Sequence, residues 1–126
     1  MTQEQNARKL TTHQKAVLIQ VLRTFPDERV EIRYAAEAAD AYAYAQDFLS
    51  IFKAIGWDVA GPEAKPLAAT NRLPNLALLV PGGHLPACTE ALRDALLIYE
   101  IELTTHSRAA DASAIHTFTL WVGPVQ

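Results

Sequence analysis

One uninterrupted unit constrains this chain more than any other feature: a strand, a long alanine-rich helix, a glycine stop and a second strand. RVEIRY (Arg29 to Tyr34) alternates apolar and charged residues, the period of a strand with one covered face. AADAYAYAQDFLSIFKAI then sets Ala45, Phe48, Leu49, Phe52 and Ile55 on one helical face. Gly56 stands where a left-handed helix cap belongs, and Trp57-Asp58-Val59 opens a new extended run. A β-α-β crossover reads this way, and it predicts an α/β domain.

The flanking sequence extends the pattern. Thr11-x-x-Gln14 fits a capping box, in which hydroxyl and amide satisfy unpaired backbone donors. Val17, Leu18, Val21, Leu22 and Phe25 form the apolar stripe of a first helix, ended at Phe25-Pro26 because proline disfavours helix in the residue before it. After Val59, GPEAKPLAATNRLPN reads as a long surface loop. Leu76-Ala77-Leu78-Leu79-Val80 shows no alternation, the mark of a strand covered on both faces, and is the expected sheet centre. Pro81-Gly82-Gly83-His84 turns the chain into a third helix, with Cys88, Ala91, Leu92, Ala95 and Leu96 on its buried stripe. Ile101 and Leu103 then alternate with Glu100, Glu102 and Thr104. Phe118, Leu120 and Val122 alternate with Thr117, Thr119 and Trp121. Both segments read as strands with one wetter face, placed towards the sheet edges.

The expected order is α-β-α-β-β-α-β-β in one domain from residue 10 to 126, after a polar tail over residues 1–9. A mixed, mostly parallel open sheet of four or five strands, with its three helices spread over both faces, satisfies that order. A ferredoxin-like two-layer sandwich also satisfies it and needs only one covered face. The apolar Leu76 to Val80 run favours the mixed sheet.

LTTHQKAVLIQVL followed by RVEIRY, then AYAYAQDF ending in GWDV, resembles a group of small uncharacterised bacterial α/β domains. The closing TFTLWVGP is similar to the group's last strand, which runs into V-G-P. The resemblance spans Leu10 to Val59, the Leu76 to Leu96 strand and helix, and the tail. In that group the segment often follows membrane-spanning helices; this chain departs from the group in having none. The group has no assigned activity, so the resemblance implies a fold and no functional residues.

Composition bounds function by exclusion. A chain of 126 residues can bury a real core. A net charge of −3, with its basic residues scattered over different elements, does not suit a general nucleic-acid binder. The polar start, MTQEQNARKL, lacks the apolar stretch of a signal peptide, and the single cysteine forms no internal disulfide. The expectation is a cytoplasmic protein without a membrane segment.

The residues that could carry chemistry are few. Gly82, Gly83 and His84 join the carboxyl end of a strand to a helix, where open α/β sheets bind ligands. Neither a G-x-G-x-x-G nor a phosphate-loop pattern is present, and a plain tight turn is the more ordinary explanation of the glycines. Tyr34 and Asp40, with Tyr42 and Tyr44, cluster at the entry to the second helix. If both turns share one sheet end, Tyr34, Asp40, Gly82, Gly83 and His84 form a small-ligand or nucleotide site, or the site of a minor enzyme. Tyr42 and Tyr44 sit two apart on a helix, so only one can be core. Cys88, near the start of the third helix and four residues after His84, is a candidate nucleophile or a buried thiol. The four histidines match no metal-ligand spacing, and neither a metal nor another cofactor is expected. The final strand, His116 to Val122, has no lysine, proline or glycine to guard a free edge. With Phe118 and Trp121 as contact residues, it is expected to pair with an unknown protein partner or with a second copy. The functional reading is a non-enzymatic binding or protein-interaction domain.

Overall fold

The computed structural model describes residues 9–25, 28–65, 76–81, 87–108 and 118–123. Among them run α1 (Thr12–Leu22), β1 (Arg29–Ala35), α2 (Ala41–Ala54), β2 (Asp58–Lys65), β3 (Leu76–Pro81), α3 (Ala87–Ile98), β4 (Thr104–Arg108) and β5 (Phe118–Val122). The strands form one five-stranded sheet in the order β2-β1-β5-β3-β4. β1 pairs parallel with β2 and with β5, and β3 pairs parallel with β4; only β3 and β5 run antiparallel. The expected α/β domain, with three helices and a mixed, mostly parallel sheet, is the fold observed.

Local sequence accounts for the elements. The capping box at α1 is formed in both directions: Gln14 N–H donates to Thr11 Oγ1 at 3.0 Å, and Thr11 N–H donates to Gln14 Oε1 at 2.9 Å. α2 ends in a Schellman motif. Gly56, at φ 85°, donates to the Lys53 carbonyl, and Trp57 donates to the Phe52 carbonyl. Phe52 and Trp57 then stack at 5.5 Å, the apolar contact that accompanies this motif. Asp47 of α2 ties down the start of α1, accepting from Leu10 N–H at 2.9 Å and pairing with Lys15 at 3.1 Å.

One core holds the molecule together. Leu18 and Leu22 of α1, Phe48 and Phe52 of α2 and Leu92 and Leu96 of α3 pack on one sheet face. They meet Val30, Ile32, Leu78, Phe118, Leu120 and Val122 there. The expected split of the helices over both faces is therefore corrected. The connectivity explains why. β1-α2-β2 and β3-α3-β4 run in opposite directions and step outward in opposite directions, so connections of one hand bring both crossover helices to the same face. The opposite face holds a separate small cluster of Ala35, Ala77 and Trp121, joined by Ala38, with no member from a described helix.

Three sequence expectations shift. The expected centre, Leu76 to Val80, lies between β5 and β4, and the middle strand is β5. The fourth strand starts at Thr104, later than expected. The apolar alternation from Ile98 to Leu103 comes from the last turn of α3 and a second Schellman motif. There Glu100 takes φ 61° and donates to the Leu97 carbonyl, while Ile101 donates to the Leu96 carbonyl. Finally, the first residues of the expected loop after Val59 continue β2 to Lys65.

Candidate functional site

The helix-free face is crossed by two rows of side chains, fixed by the strand registers. Glu31, Thr119, Leu79 and His106 form one row; Arg33, Trp121, Ala77 and Thr104 form the other. Arg33 Nη2 pairs with Glu31 Oε2 at 2.9 Å, and Thr119 Oγ1 donates to Glu31 Oε1 at 3.0 Å. Glu31 and Arg33 thus match each other's charge. Among the described residues, two buried donors, Arg33 Nε and Trp121 Nε1, meet no acceptor. Thr119 and Trp121 are nonetheless buried, so this face is not an open platform.

The sheet edges differ more sharply. At β2 the register with β1 slips between Glu31 and Arg33, so Gly61 and Pro62 stand opposite Ile32 alone, a β-bulge. Gly61 has φ 98°, and a Cβ there would run into the Ile32 carbonyl oxygen. Proline, bulge, Asp58 and Glu63 together are how natural sheets protect an edge. β4, TTHSR, carries no proline, glycine or lysine within its span. Among the described residues it pairs with β3 alone, leaving the other row of its backbone donors and acceptors open. Thr104 Oγ1 lies 3.0 Å from His106 Nε2, which braces the side chains on the helix-free face.

The final strand is corrected. β5 lies between β1 and β3, hydrogen-bonded on both sides, so it has no free edge for self-association or a partner. Phe118 and Trp121, each 1 % exposed, are core residues rather than contact residues. Phe118 packs against Phe52 and Trp57 on the helix side, while Trp121 lies with Ala35 and Ala77 on the other. His116 lies outside the described residues.

Of the expected ligand site, only Tyr34 and Asp40 fall among the described residues. Tyr34 is in register with Val122, and Val122 with Leu76, the first residue of β3. Gly82, Gly83 and His84 lie outside the described residues, but Pro81, which precedes them, is at the far end of β3. Five residues of strand put that end about 17 Å from the end carrying Tyr34. The antiparallel pairing of β3 with β5 sets Tyr34 and Pro81 at opposite ends of the sheet. Near Tyr34 the structure holds an aromatic pair, Tyr34 and Tyr42, with edge-to-face rings at 5.4 Å. Tyr42 is half exposed and Tyr44 is buried, the division expected from their spacing. Asp40 precedes α2 without capping it through its side chain.

Cys88 is buried, and burial, followed by the Glu28 carboxylate, pushes its thiol up from 9.0 to about 11. A nucleophile needs the opposite shift. Among the described residues no group of three His, Cys, Asp or Glu side chains could hold a metal ion, and no helix is long and apolar enough to cross a membrane. Comparison with protein-family models, with curated proteins and with solved structures gave no match.

Sequence reasoning placed the fourth strand at an edge but did not single it out. The available signal was composition: Thr104 to Arg108 contains no large apolar residue, which an interior strand of this sheet would need.

Proposed function

We propose that the chain is a non-enzymatic interaction domain of a cytoplasmic protein, and that it binds an extended polypeptide along the free edge of β4. The observation that carries this reading is the contrast between the two edges. β2 is closed to further pairing by its bulge and Pro62, whereas β4 has neither and carries a charge only at its last residue, Arg108. In such binding, main-chain hydrogen bonds supply affinity, and side chains at alternate positions supply selectivity. Thr104 and His106, on the helix-free face, would meet the alternate side chains of the added strand.

Proline substitution tests the reading. Successive strand residues turn their N–H groups to opposite sides, so of Thr105→Pro and His106→Pro one removes an outward donor and the other a ladder donor. A random-peptide library is panned on the wild type and on whichever variant stays folded. Extended, alternating peptides should be enriched on the wild type alone. No enrichment, or equal enrichment on the folded proline variant, overturns the reading.

A further inference from the structure

We infer that Thr104 holds His106 as the tautomer protonated at Nε2, so that the β4 edge offers an imidazole acceptor, Nδ1. The edge then selects a strand that carries a hydrogen-bond donor opposite His106. The inference rests on the edge-binding reading above and adds the chemistry of what that edge accepts.

The single proton of one hydroxyl carries the argument. Thr104 Oγ1 lies 3.0 Å from His106 Nε2 and donates at 3.5 Å to the Leu76 carbonyl on β3. A hydroxyl has one hydrogen to give, and a carbonyl oxygen can only accept. With that hydrogen directed to Leu76, Oγ1 is the acceptor towards His106, and Nε2 carries the ring proton. In a neutral imidazole the other nitrogen is then an acceptor. Thr104 is thus a positioning residue: it acts on a partner strand through His106. Among the described residues Thr104 is the one hydrogen-bonding partner of His106. The residue in register with His106 on β3 is Leu79, which has no polar group to offer. On its other side β4 pairs with no described strand, and His106 is half-buried, so its ring borders the place an added strand would take. Facing side chains of paired strands start from Cβ atoms about 5 Å apart, close enough for one hydrogen bond between them. Thr104, Thr105 and His106 provide no large apolar contact, so polar pairing is left to decide between strands. Ser, Thr, Asn, Gln and Lys bring a donor to Nδ1. Asp, Glu or an apolar residue leaves a partly desolvated acceptor unpaired, which costs affinity.

Two measurements separate the tautomer from the binding. Nitrogen-15 NMR of the full chain, with the ring neutral and its signals assigned by difference from His106→Phe, should show Nε2 protonated and Nδ1 bare. Thr104→Ser, which keeps the hydroxyl, should preserve that pattern. Thr104→Val, which keeps the branched shape alone, should move it towards a mixture of both tautomers. A wild type protonated at Nδ1 overturns the assignment, and an unchanged ring in folded Thr104→Val overturns the positioning role of Thr104. The random-peptide library, panned on the wild type, should return strands with Ser, Thr, Asn, Gln or Lys at one fixed position. These should be preferred about two- to tenfold over Asp, Glu or Leu, the worth of one hydrogen bond. Thr104→Val and His106→Phe should still capture extended peptides through the main chain, with that preference reduced in the first and lost in the second. Captured peptides without a donor preference, or with the same preference on His106→Phe, overturn selection by His106 and leave the edge-binding reading standing. A wild type that captures no extended peptide overturns both, whatever the tautomer.

Discussion

The two Schellman motifs provide a matched experiment on backbone strain. Both α2 and α3 end with a residue in the left-handed region, Gly56 at φ 85° and Glu100 at φ 61°, and both turn directly towards a strand. A residue with a Cβ costs about 1–2 kcal/mol there, which glycine avoids. Against that gain, glycine makes the unfolded chain freer, worth about 0.4–1 kcal/mol. Glu100 is exposed, and among the described residues nothing pairs with its carboxylate, so Glu100→Gly gives up no contact. The net expectation is a stabilisation of about 0.5–1 kcal/mol. Gly56→Ala is the reverse case. A Cβ at Gly56 meets nothing within 4 Å, so its cost is purely conformational, about the same size with opposite sign. Urea unfolding followed by circular dichroism measures both, and the midpoint should move in opposite directions with the slope unchanged. If Glu100→Gly destabilises the protein, or leaves it unchanged while Gly56→Ala costs stability, the left-handed geometry at Glu100 is refuted.

Gly61→Ala should cost more than Gly56→Ala, about 2 kcal/mol or more, because steric conflict with the Ile32 carbonyl adds to the left-handed strain; a thermal midpoint equal to that of Gly56→Ala would show that the bulge yields freely. Phe48→Ala, at a fully buried position between α2 and the sheet, should cost about 3–5 kcal/mol, and Leu49→Ala, only partly buried, clearly less; chemical denaturation that reverses this order would mean α2 is rotated. Cys88 titrates near 11 in the fold against 9.0 ordinarily, so its contribution to stability is fully present below pH 9 and is lost as pH rises through 11. Cys88→Ala should flatten that alkaline decline in unfolding free energy, and an unchanged decline would place it elsewhere.

What could be read from the sequence was what is decided within one element. The capping box, the α2 stripe and the Gly56 stop depend on residues a few positions apart, and each is found where those residues stand. The end of α3 was hidden because Glu100 occupies a glycine position. With no glycine to announce the stop, Ile98, Ile101 and Leu103 imitate a strand. The misplacement of β5 has a different origin. FTLWV alternates like a half-wet strand, yet Thr119 and Trp121 are buried because β5 fills the gap between β1 and β3, a pairing between residues far apart in sequence. The direction of β3, which sets Tyr34 and Pro81 at opposite sheet ends, is likewise a long-range pairing that local composition does not encode.

The same topology explains why the two edges are unequal partners. β1-α2-β2 and β3-α3-β4 are equivalent units facing opposite ways, each contributing its second strand as an outer edge, with β5 joining their first strands. Equivalent placement exposes β2 and β4 to the same hazard of unwanted pairing. In β2 that hazard is met by a residue in a demanding conformation, Gly61, followed by Pro62 and by charges along the strand. Such a bulge gives up regular ladder bonds, so it is a poor choice unless open edges are harmful to this fold. β4 has neither bulge nor proline, and an edge left so is better explained by one that takes a partner strand than by a tolerated one. Guarding β4 artificially should therefore change the behaviour of the protein more than guarding β2 further. A lysine at Thr105 tests this against a lysine at Ala60: only Thr105→Lys should reduce the capture of extended peptides by the folded protein. Equal effects at both edges would remove the asymmetry on which the β4 interface stands.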